Sequence, residues 1–101
     1  SQAVHFSKPV DWKKMGLHEY PRIVKQPMDL GTIKIKLHEN KYVKADEFAF
    51  DMRLVFENAM TFNPKDHWVA VMAANLRKLF DDAWIESTMR LERKRIELLH
   101  L

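Results

Sequence analysis

Apolar residues recur at three- and four-residue spacing through most of the chain after position 28, and this pattern predicts three helices. Leu30, Ile33 and Leu37 define the first, over residues 29–39, with Asp29 as its N-cap after Pro27. The pattern breaks over 40–44. A second helix is predicted over 46–61, where Phe48, Met52, Val55, Phe56 and Ala59 share one face. Asp46 and Glu47 lie in its first turn, where acidic groups complement the helix dipole. Asn63-Pro64 stops it, because proline pushes the preceding residue out of the α region. The third helix is predicted over 66–100, capped by Asp66, with Val69, Met72, Ala73, Leu76, Leu79, Phe80 and Ala83 in helical register. Its last part is less regular: Trp84, Ile85, Leu91, Ile96, Leu98 and Leu99 form a broad apolar face interrupted by Glu92 and Arg95.

Residues 1–28 read differently. They hold three of the four prolines, Pro9, Pro21 and Pro27, together with Gly16. They also hold Phe6, Val10, Trp12, Met15, Leu17, Tyr20, Ile23 and Val24, without a sustained helical period. The segment is predicted to be a long connection that packs through its own apolar side chains. Such connections are uncommon in small domains and tend to be functional.

Composition narrows the class. A chain of 101 residues is one domain's worth, read here as a single unit over 1–101. The two glycines and the long proline-free stretches favour helices over a turn-rich β architecture. With no cysteine, disulfides and thiolate metal sites are excluded. No apolar run approaches the roughly 20 residues that a membrane span needs, so no membrane partner is expected.

The net charge of +3 is unevenly spread. Residues 1–44 carry nine Lys/Arg against four Asp/Glu, and residues 45–82 carry four against seven. A solvated exterior accounts for this. Weak contact with nucleic acid through Lys34, Lys36, Arg93, Lys94 and Arg95 is the alternative.

Catalytic signatures are missing. The five histidines, His5, His18, His38, His67 and His100, include no pair at helical metal-ligand spacing. Gly16 and Gly31 stand alone, so there is no phosphate-cradling loop. Asp81 and Asp82 are adjacent on a helix and point apart. No enzymatic activity, metal or cofactor is expected. Asn63 has two readings. It is a helix-stop residue, or its amide faces a cavity lined by Ala59, Phe62 and Val69 and takes a ligand carbonyl as its missing acceptor. A buried amide without a partner costs about 1–3 kcal/mol.

The run Tyr20-Pro21-Arg22-Ile23-Val24-Lys25-Gln26-Pro27-Met28-Asp29-Leu30-Gly31-Thr32-Ile33 resembles the bromodomain signature. Leu37, Tyr42, Phe48, Asp51, Arg53, Phe56, Asn58, Ala59, Phe62 and Asn63 follow in that family's order and spacing, and Phe6 and Pro9-Val10-Asp11 resemble the start of its long loop. The resemblance runs from about residue 6 to residue 85. It implies an all-α, left-handed antiparallel helical bundle whose loops form a pocket for acetylated lysine, on histone tails or other acetylated nuclear proteins.

Position by position, the resemblance makes Asn63 the donor to the acetyl carbonyl and Tyr20 the residue that reaches the same oxygen through water. Phe6 becomes the floor, Pro9, Val10, Met15 and Leu17 the loop wall, and Val69 the gatekeeper. Ala59 and Phe62 line the helix side, and Trp68 offers a shelf at the rim. Departures from the pattern are Val4 and His5, where Trp and Pro are frequent, Phe62 in place of tyrosine, and Pro21 in place of a second aromatic residue. The family's first helix precedes the floor phenylalanine, whereas five residues precede Phe6, so that helix is expected to be truncated or missing. The apolar face near Trp84, Ile85, Leu91 and Leu98 is then expected to be covered by self-association or by folding back. A helical interaction module with a degenerate pocket remains the rival reading.

Overall fold

The computed structural model describes residues 2–101, and among them every regular element is helical. A 3-10 turn, Gln2–Phe6, opens the described chain. Four α-helices follow: α1 Tyr20–Ile23, α2 Leu30–His38, α3 Ala45–Phe62 and α4 Trp68–Leu99. The three longer helices match the periodic segments. Helix α1 was not anticipated, because a single turn is too short to express an amphipathic period. Pro21 suits its first turn, where a missing N–H costs nothing.

Helix α2 begins where Asp29 caps it. The buried carboxylate accepts from the Thr32 backbone N–H at 2.9 Å and from the Thr32 hydroxyl at 2.7 Å. The helix ends at His38 with Glu39 as its C-cap; Asn40 then takes a left-handed φ of 55°, and the Lys41 N–H donates to the Lys36 carbonyl at 2.9 Å. Helix α3 starts one residue earlier than predicted. Glu47 reaches back to accept from the Val43 and Lys44 N–H groups at 2.7 and 2.8 Å, and these bonds lower its carboxyl pKa. Helix α4 is capped by His67 rather than Asp66: Nδ1 of His67 accepts from the Val69 N–H at 3.1 Å. Asp66 lies inside the turn closed by the His67 N–H on the Pro64 carbonyl, at 2.9 Å.

Helices α3 and α4 run antiparallel, as their ion pairs show. Arg53 meets Asp81 at 2.8 Å, and one turn further along Arg77 meets Glu57 at 2.9 Å. Beneath these pairs Phe6, Ile33, Val55, Phe56 and Ala73 form the buried core. Helix α2 is tied to α3 by the buried Asp51, whose Oδ2 accepts from Lys36 Nζ and from the Tyr42 hydroxyl, both at 2.6 Å.

The last fifteen residues of α4, 85–99, are all exposed. The expected folding back does not occur. Segment 65–101 contains neither Gly nor Pro. Its i,i+4 pair Arg90–Glu86 further favours continued helix. None of the helices is long and apolar enough to cross a membrane.

Candidate functional site

A cavity of about 240 Å³ opens between the N-terminal segment and the α3–α4 turn. Phe6 lines it, buried and set edge-on to Phe56 with ring centroids 5.6 Å apart. Phe6 is held there by the next residue. The Ser7 carbonyl accepts from the Gly31 N–H at 3.1 Å, and a Cβ on residue 31 would collide with that same carbonyl and press on the Asp29 carboxylate. Gly31 thus permits the N-terminal segment to lie directly on the first turn of α2.

Val10, Met15 and Leu17 form one wall. Their backbone is ordered by turns: the Met15 N–H donates to Asp11 at 3.0 Å and the Leu17 N–H to Trp12 at 2.7 Å, with Gly16 between them at a φ of 73°. Tyr20 follows at the start of α1, buried, with its ring edge-on to Phe62 at 4.9 Å. Burial raises the phenol pKa, so the hydroxyl stays protonated and able to donate. Among the described residues nothing hydrogen-bonds to that hydroxyl. The loop between α1 and α2 is pinned to α3 where the Asn58 amide donates to the Gln26 carbonyl at 2.8 Å.

Asn63 stands at the mouth of α3 as its C-cap, in extended conformation. Its Nδ2 donates to the Ala59 carbonyl at 2.9 Å, so the amide has one internal partner. A side-chain amide carries two N–H groups. The bond to Ala59 takes one of them, and Asn63 also lines the cavity. The stop-residue and cavity-facing readings of Asn63 are therefore compatible in one geometry.

The start of α4 supplies the rim. Val69 is half-buried, and Trp68 is 56% exposed between two imidazoles. His5 meets it edge-on at 5.2 Å and His67 stacks on it at 5.8 Å.

Ten of the eleven residues singled out from the sequence line this one cavity: Asn63, Tyr20, Phe6, Val10, Met15, Leu17, Ala59, Phe62, Val69 and Trp68. Pro9 does not. Lys8 and Val10 on either side of it line the cavity, and all three are exposed. The structure adds His5, Lys8, Met28, Asp29 and Val55 to the lining. Val55 and Asp29 already had roles as a core position and a helix cap, and only proximity reveals the second one. Among the described residues no group of three or more His, Asp or Glu is placed to hold a metal ion.

The bromodomain family model matches residues 1–75, which takes in the floor, loop wall, cap and rim just described. The chain belongs to the bromodomain family. It is 46% identical over 86% of its length to "Transcription factor GTE5, chloroplastic" of Arabidopsis thaliana. To "Transcription factor GTE7" of the same plant it is 44% identical over 92% of its length. To "Transcription factor GTE4", also of that plant, it is 49% identical over 78% of its length. The matched regions are 18%, 16% and 10% of those proteins, so the chain spans less than a fifth of these curated relatives. Within the bromodomain frame, the substituted positions Val4 and His5 are both exposed, and His5 is part of the aromatic rim around Trp68.

Proposed function

We propose that this bromodomain binds acetylated lysine on partner proteins in the cavity around Asn63, without catalysing a reaction. The observation that carries the reading is the state of Asn63: one N–H is fixed on Ala59, and the amide lines an otherwise largely apolar cavity. The second N–H is a donor for an acetyl carbonyl, held in direction by the first. The protonated Tyr20 hydroxyl, unengaged by the described residues, is available to reach the same oxygen through a water.

Phe6, Val10, Leu17 and Val69 suit the methyl group and the alkyl stem. An unmodified ammonium entering this cavity would lose its hydration among mainly apolar side chains, with Asp29 buried and committed to Thr32 at the cap of α2. That penalty amounts to several kcal/mol and supports discrimination for the acetylated form. A ligand side chain of about eight heavy atoms predicts weak binding, with a Kd of about 10 µM to 1 mM. The transcription factors among the relatives support acetylated histone or other chromatin proteins as partners and the nucleus as the site of action.

The test is an NMR titration of the labelled domain with paired acetylated and unmodified peptides, repeated with Asn63→Ala. Shifts at Tyr20, Asn63 and Val69 that need both the acetyl group and the asparagine are expected. A folded domain that responds to no acetylated peptide would favour the interaction-module reading instead.

A further inference from the structure

The floor and walls of the cavity explain how an acetyl group is held, but they do not select its neighbours in the chain. The mouth does. Two side chains with a formal charge line the cavity, Lys8 and Asp29. Asp29 is buried and each of its oxygens accepts from Thr32, which commits it to capping α2. Lys8 is exposed, and none of the ion pairs among the described residues engages it.

A second observation has the same sign. The segment that walls the site, residues 1–28, carries five Lys/Arg, namely Lys8, Lys13, Lys14, Arg22 and Lys25, against Asp11 and Glu19 alone. Glu19 is paired with Arg22 at 3.3 Å, and Asp11 accepts from the Lys14 N–H at 3.3 Å. The α3–α4 turn adds Lys65 and Asp66, which offset each other. The segment around the mouth therefore carries a cationic excess, and Lys8 is its member that lines the cavity, together with the exposed Trp68.

Resting on the acetyl-lysine reading above, we infer that the site selects acetylated lysine in an acidic sequence context: an Asp or Glu close to the modified residue, placed against Lys8. A strongly basic tail would bring its remaining lysines against a rim of the same charge. An acidic neighbour instead finds an unpaired ammonium, while the chain between them has the Trp68 ring to lie on. An exposed pair of this kind changes affinity by about two- to fivefold, and salt weakens it.

The experiment measures Kd by calorimetry for three acetyl-lysine peptides of equal length, with Glu, Ala or Lys on both sides of the modified residue, at low and at high salt. The expected order is Glu tighter than Ala tighter than Lys, with the spread narrowing at high salt. In Lys8→Glu the order of the Glu- and Lys-flanked peptides should invert. Acetyl-dependent binding of the Ala-flanked peptide with no ranking among the three, or a ranking that Lys8→Glu leaves intact, would overturn this inference alone. No acetyl-dependent binding of any peptide would overturn the acetyl-lysine reading and this inference together.

Discussion

The Ala59 carbonyl accepts twice from Asn63, from its backbone N–H at 3.1 Å and from its side-chain Nδ2 at 2.9 Å. One residue thus closes α3 and fixes the plane of its own amide. The pair of bonds ties the amide to the helix terminus, committing one side-chain N–H to Ala59 and leaving the other over.

Asn63→Asp therefore removes both donors at once. A carboxylate cannot donate to Ala59 or to an acetyl carbonyl, and it places negative charge at the unfavourable end of α3. Acetyl-peptide affinity should fall at least tenfold and stability by about 1–2 kcal/mol. Calorimetric titration and urea denaturation read the two effects separately.

Tyr20→Phe separates binding from folding. The ring packs on Phe62, and no described residue uses the hydroxyl, so stability should change by less than about 1 kcal/mol. Affinity for an acetylated peptide should nonetheless drop several-fold. A thermal melt alongside the titration checks both halves.

Gly31→Ala tests the seat of the floor. The added methyl meets the Ser7 carbonyl, which is backbone and cannot swing aside. Unfolding by urea should show a loss of about 1–3 kcal/mol, as overpacking commonly costs. The Phe6 resonances should shift, because the segment carrying the cavity floor must lift off α2.

Alkaline pH should destabilise the fold through two tyrosines. Burial raises the Tyr42 phenol pKa far above its ordinary value, reinforced by its hydrogen bond to the charged Asp51, and burial alone raises that of Tyr20. Above about pH 10 the unfolded chain gives up these protons while the folded one keeps them, so stability falls as pH rises further. The phenolate absorbance of the native domain should lag that of the denatured chain.

Acid acts through Asp81 in the opposite direction. Its hydrogen bond to Arg53, helped by Arg77, holds its carboxyl below the ordinary aspartate range. Its contribution is present at neutral pH and is lost as pH falls through that depressed value. With the pair about a third exposed, the loss should not exceed about 1 kcal/mol. Arg53→Met should flatten this part of the stability–pH profile.

The sequence by itself determined the helices and the family. The spacing of Leu30, Ile33 and Leu37, the run from Phe48 to Ala59, and the Asn63-Pro64 stop encode local geometry, because a helix repeats its contacts every few residues. The bromodomain signature likewise gathers the site residues by position. What only the tertiary structure decided is how the non-periodic segment folds and which way its side chains point. Lys8 and Val10 line the cavity while Pro9 does not, His5 joins Trp68, and Asn63 finds an internal acceptor. Asp51, one residue in an apolar face, becomes the joint between Lys36 and Tyr42. The Asn63 bond to Ala59 is local, four residues apart, but the others depend on contacts between segments, such as Ser7 on Gly31 and Asn58 on Gln26. A loop has no internal repeat to encode them. Their geometry exists only once α2, α3 and α4 have packed.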